Sequence, residues 1–241
     1  MNGKFCLAVL FLVVITGFFC VDLSRSYEVV DVANGGSLKG KVTFTGSPPA
    51  ITSLTVTKNK DHCGASVVNE TFLLGPEGGV KNVVVLVEGV SQGKAFVEET
   101  YELDNKDCRF VPHVQVVPAR EKLEILNSDP ILHNTHAFLG TATVFNLALP
   151  LQDQKVTKRM KRPGVLSVKC DAGHTWMSAY IVVVDNPYYF VTDESGSFEI
   201  TDIPPGTYQV KAWHEELGTE VKEVEVAGGA AATVSFSNLS K

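Results

Sequence analysis

Most patterns that would announce an enzyme are missing from this 241-residue chain. There is no HExxH for a metallohydrolase and no Gly-x-Ser-x-Gly nucleophile elbow. No window gives an amphipathic helix longer than two turns, which excludes a helical bundle. Positive charge is in the minority, 21 Lys and Arg against 27 Asp and Glu for a net charge of -6, so nothing points to nucleic acid. Methionine is scarce, three residues including Met1, and so is tryptophan, with two. Both scarcities make the position of each such residue informative.

The chain opens on an apolar run. FCLAVLFLVVITGFF, residues 5–19, follows Lys4 and precedes the small-x-small triplet Ser24-Arg25-Ser26. This predicts a secretory signal peptide over residues 1–26, and hence a periplasmic or secreted protein with no membrane span after cleavage. An uncleaved anchor is the alternative, but a spanning helix needs about 20 residues. Cys20 follows Gly17-Phe18-Phe19, which is bulkier than lipoprotein processing favours, so lipidation is a lesser alternative. Loss of Lys4, Asp22 and Arg25 moves the charge to about -7.

Cys6 and Cys20 leave with the signal, and three cysteines remain. In an oxidising compartment the economical assignment is a Cys63–Cys108 disulfide with Cys170 free. Pairing of Cys170 instead stays open, and it would abolish any metal role for that thiol.

The rest reads as short strands between turns. Candidates are 38–45, 82–87, 110–117, 122–126, 143–149, 165–170 and 179–184, then 198–201, 208–213, 220–226 and 232–236. The class is all-β, with strand spacing like that of a sandwich. A boundary near Asn186-Pro187 divides a larger unit, 27–185, from a smaller β-unit, 186–241.

The line TDESGSFEITDIPPGTYQVKAW, residues 192–213, resembles carboxypeptidase regulatory-like, or transthyretin-like, modules. Such modules usually contain more strands than this tail holds. The segment 36–46 resembles their opening strand, so one alternative has the larger unit inserted into the smaller. The simpler alternative, preferred at this level, makes 36–46 the first strand of the larger unit.

One segment concentrates soft and imidazole donors. Cys170, His174 and Met177 lie within eight residues between two strands, so one loop could turn all three to one point. Copper cycling between two oxidation states is served by a thiolate, imidazoles and a weak axial thioether. The second imidazole must come from elsewhere, and His133 in Asn127-Ser-Asp129-Pro-Ile-Leu-His133-Asn134 is the best placed.

These two segments resemble the cupredoxins, amicyanin-like members in particular. His133-Asn134-Thr135-His136-Ala137-Phe138 is similar to their H-N-x-H-F phrase, and Cys170/His174/Met177 to their C-x-x-H-x-x-M loop. The resemblance implies a Greek-key sandwich holding one copper ion. His133, Cys170 and His174 would be equatorial ligands, Met177 the axial one, and Asn134 a neighbour bonded to the Cys170 sulfur. It also implies electron transfer with an unidentified redox partner, through His174 as the ligand nearest the surface. The loop departs from the pattern by one residue, Gly173.

Trp176 is expected to pack over the site, or else to be ordinary core. His136, three residues beyond His133, should face the other way in a strand. His113 is a lesser candidate as ligand or gate, His62 a solvated loop residue, and His214 an exposed strand end or a second metal site with Glu215. The basic run Lys155, Lys158, Arg159, Lys161, Arg162 reads as a solvated hairpin, or as a dock for an acidic partner. Competing functions are copper storage or delivery, disfavoured by the few methionines, and a non-catalytic adhesion or glycan-contacting module. An enzyme is least favoured, because copper oxidases and nitrite reductases need His-x-His pairs and none occurs.

Overall fold

The computed structural model describes residues 27–47, 50 and 53–240; the expected signal peptide, with Cys6 and Cys20, lies outside the described residues. The architecture is all-β. The first stretch supplies β1 (Glu28–Val29), β2 (Gly36–Lys41), β3 (Ser53–Thr55), β4 (Ser66–Val68), β5 (Val84–Glu88) and β6 (Gln92–Gly93). A central stretch follows: β7 (Tyr101–Lys106), β8 (Arg109–Val111), β9 (Val114–Pro118), β10 (Lys122–Asn127), β11 (His133–Leu139), β12 (Ala142–Leu149), β13 (Gln154–Arg159), β14 (Gly164–Lys169) and β15 (Ser178–Val184). The last holds β16 (Tyr189–Val191), β17 (Ser197–Ile203), β18 (Gly206–His214), β19 (Gly218–Val226) and β20 (Ala231–Thr233). A single turn of helix, α1 (Lys60–Cys63), lies between β3 and β4.

The central strands form one sandwich. A sheet ordered β13-β10-β7-β8 faces another ordered β12-β11-β14-β15-β9. Their inner faces meet in a core that includes Leu103, Phe110, Leu123, Ile125, Leu149, Val168 and Ile181. β7 shows why: Tyr101, Leu103 and Asn105 are buried while Glu102 and Lys106 point to water. The buried Asn105 amide donates to Leu126 O and Thr135 Oγ1, so a polar side chain ties the two sheets.

A second sandwich takes strands from both ends of the chain. One sheet is β16-β5-β18-β19 and the other β17-β2-β20, around a core that includes Leu38, Val85, Tyr188, Val210 and Phe236. Segment 36–46, assigned above to the larger unit, instead pairs through β2 with β17 and β20. β5 pairs with β16 and β18. A cut at 185/186 therefore does not separate the two sets of strands. The physical reason is the shortage noted in the tail: β16 to β20 alone leave the sheet positions of β2 and β5 empty.

A third apolar layer joins the sandwiches. Val114, Val116, Val182 and Val184 on β9 and β15 pack with Val84, and Leu86, Tyr180 and Trp213 border them. This explains the unbroken run Tyr180-Ile-Val-Val-Val184: Ile181 and Val183 face the first core, Val182 and Val184 the joint.

Other elements differ from expectation in informative ways. The strand expected over 110–117 breaks at Pro112-His113 into β8 and β9, because proline offers no N–H to a ladder. The basic run is not a hairpin: it begins in β13, an edge strand whose charged outer face discourages further pairing. Strands β7 and β11 were not foreseen; both carry polar residues at inward positions.

A fragment of residues 186–241 is expected to show no cooperative thermal transition by circular dichroism, for want of β2 and β5. A cooperative melt in that fragment would contradict the shared sandwich.

Candidate metal centre

Three donor side chains converge at one end of the first sandwich. His133 begins β11, Cys170 follows β14, and His174 lies in the loop to β15. All three are buried, with both imidazoles at 0% exposure. His174 Nδ1 is 3.0 Å from His133 Nδ1, and Cys170 Sγ is 3.6 Å from His174 Nδ1 and 3.9 Å from His133 Nδ1. A point equidistant from these three atoms is about 2 Å from each, close to a metal–imidazole bond length.

Each imidazole is aimed from behind. His133 Nε2 donates to Asp129 Oδ2 at 2.8 Å, and His174 Nε2 donates to Asn59 Oδ1 at 2.9 Å. With Nε2 carrying the proton, both Nδ1 lone pairs face each other and the sulfur. Such lone pairs repel unless a cation or a proton lies between them. A thiol and two imidazoles suit a small thiophilic ion and not calcium or magnesium, which take oxygen ligands.

Asp129 organises the rear of the site. Its carboxylate accepts from His133, from the backbone N–H groups of Asp107 and Cys108, and from His62 at 3.2 Å. Burial pushes this carboxyl up, but the bonds from His133, Cys108, His62 and Asp107 outweigh it and hold it far below the usual carboxylate range. His133 is drawn down by burial and raised on balance by Asp129 and Cys170. His174 is pushed down to about 4 by burial, then by the charges of His133 and Lys58, so its ring is neutral near pH 7. His62 is thus a partly exposed partner of Asp129 rather than a purely solvated loop residue. Asp129 itself was passed over in the sequence; the signal available was a carboxylate four residues before the histidine.

Asn134 lies between the two segments. Its backbone N–H lies 3.3 Å from Cys170 Sγ, and its Oδ1 accepts from the Asp171 N–H. The two donor-bearing segments are thereby tied together. Met177 is buried, and its N–H donates to His174 O, closing the loop as a turn. Trp176 packs against the His174 ring, with centroids 5.1 Å apart, and its indole N–H donates to Cys108 O.

His174 is buried beneath the β3–α1–β4 segment. Asn59, whose left-handed φ of 52° is tolerated by asparagine, places its side chain on the ring, and Lys58 Nζ donates to Ala172 O. The extra Gly173 accommodates this cover: its φ is +93°, and a Cβ there would meet the Lys58 side chain at 3.1 Å. The Cys63–Cys108 disulfide, Cα–Cα 5.5 Å, staples the cover to the β7–β8 turn and leaves Cys170 as the free thiol.

The other histidines lie outside the cluster. His136 faces away from His133 and bonds Asp171 and Thr143. His113 pairs with Glu215 and with Ser178 O. His214 is buried rather than an exposed strand end; its Nδ1 accepts from the Glu216 and Leu217 N–H groups and its ring packs on Phe72. Glu215 is turned to His113.

A family model described as carboxypeptidase regulatory-like domain matches residues 167–238. The match begins in β14 of the first sandwich and omits β2 and β5 of the second. No curated protein matches the chain. Among solved structures, a purple cupredoxin from Nitrosopumilus maritimus aligns at 17% identity and TM-score 0.31, over 35% of this chain and 99% of its own. Amicyanin from Paracoccus versutus aligns at 14% identity and TM-score 0.32, over 42% and 97%. A copper-containing nitrite reductase from Thermus scotoductus aligns at 17% and 0.32, over 39% of this chain but only 24% of its own length. At these TM-scores the ground for a functional reading is the chain's own side chains.

Asp129→Ala is expected to destabilise the protein by about 3–5 kcal/mol, since it strands the buried donors of His133 and Cys108 on two segments. Urea unfolding measures this, and a wild-type midpoint would deny Asp129 that part.

Proposed function

We propose that this is an exported protein in which His133, Cys170, His174 and Met177 would hold one copper ion, and that it carries electrons. The observation that supports this most is the convergence of two Nδ1 lone pairs and one free thiol in a buried triangle. Copper supplies a one-electron couple that a thiolate and two imidazoles serve in both oxidation states.

The chain's own residues do the rest. Asp129 and Asn59 hold the two rings in the tautomer that presents Nδ1, and the Asn134 N–H steadies the sulfur. Donors held from behind move little when charge changes. Trp176 and the disulfide-stapled cover keep water from the site. Asn59 is exposed, so His174 lies one side chain beneath the surface and exchange with a redox partner runs across that contact. A buried, stapled site suits retention of the ion, which favours electron transfer over delivery. The disulfide fits the export predicted from the N-terminus.

Copper-loaded protein is expected to show an intense visible thiolate-to-copper band that Cys170→Ser abolishes. A folded, copper-loaded wild type without that band would falsify the proposal, and fast loss of copper to a chelator would favour delivery instead. Asn59→Ser, which shortens the side chain over His174, should accelerate reduction by a small soluble reductant in stopped flow. An unchanged rate would argue against exchange across the cover.

A further inference from the structure

His113 has no place among the metal donors, yet it is buried and bonded at both ring nitrogens. Its Nδ1 lies 3.1 Å from Ser178 O, and its Nε2 meets the Glu215 carboxylate. Both facing atoms are acceptors, so the ring is held between a backbone carbonyl and a carboxylate. The His113 and Glu215 side chains are 5% and 4% exposed, so the pair is shielded from salt and solvent.

The three residues come from different parts of the fold. His113 sits between β8 and β9 of the first sandwich, whereas Glu215 sits in the turn joining β18 to β19 of the second. Ser178 opens β15 and directly follows Met177. Tyr180, two residues on, donates its N–H to His113 O, and its ring packs against both His113 and Trp213. Burial first, then the charges of Glu215 and Glu216, push the Tyr180 hydroxyl up, as expected beside a carboxylate.

Met177 is therefore held from two sides. Its own N–H is tied to His174 O, and the next carbonyl is tied through His113 to the second sandwich. We propose, on the strength of the copper site described above, that Glu215 and His113 are positioning residues through which the second sandwich sets the placement of Met177. The carboxypeptidase regulatory-like part would then tune the metal site and not merely accompany it.

The experiment labels methionine methyl groups with carbon-13 in the full-length, metal-free protein and records wild type, Glu215→Asp and Glu215→Gln. The Met177 methyl resonance is expected to shift in both variants, more in Glu215→Gln, while that of Met160, inside the first core, stays in place. Glu215→Asp keeps the charge and serves if the amide variant folds poorly. A Met177 resonance identical to wild type in every folded variant overturns the latch. In copper-loaded protein, Glu215→Gln should keep the thiolate band but shift the reduction potential, which a purely structural contact would leave alone. If the wild type shows no thiolate band while Met177 still responds, the copper reading falls and the latch stands.

Discussion

The carboxylate of Asp129 is the interaction on which the site and its surroundings depend. It lies where β10 has ended and β11 has not begun, and it gathers His133, His62 and the backbone of the β7–β8 turn. Its charge is offset by four donors, which is how a buried carboxylate stays ionised. Because it holds Nε2 of His133, it decides that Nδ1 faces the sulfur. Because it holds the Cys108 N–H, it fixes the place to which the disulfide brings the cover over His174. One side chain thus aligns a donor and anchors what closes the site.

The second constraint is topological. A tail too short for a sandwich takes β2 and β5 from the beginning of the chain, so the strands of the central sandwich are inserted in sequence between those of its neighbour. Contact between them follows from composition. The faces of β5, β9 and β15 turned away from their own cores carry valines, which are buried only if the two sandwiches meet. The same joint brings the β18–β19 turn to His113, so apolar burial and the buried His113–Glu215 contact lie side by side.

Much of the candidate site was legible because its chemistry is local. Cys170, His174 and Met177 fall within one loop, and the odd cysteine count announced one free thiol, which the Cys63–Cys108 disulfide shows to be Cys170. Asn134 was legible for the same reason, as a neighbour of His133. Asp129 and Asn59 were not, since a carboxylate and an amide have many uses and only proximity identifies this one. Asn59 lies 115 residues from His174, and no spacing rule links them.

By itself the sequence determined the all-β class, through alternating valine-rich segments and the lack of amphipathic helices, and it determined which residue types were available as soft donors. Tertiary structure decided which strands share a sheet, because pairing depends on which hydrogen-bonding edges remain open after the tail has folded back. It also decided that His174 is covered, that His214 is buried and that Glu215 turns toward His113. Those outcomes rest on packing between segments distant in the chain, where burial and hydrogen bonding outweigh any local preference.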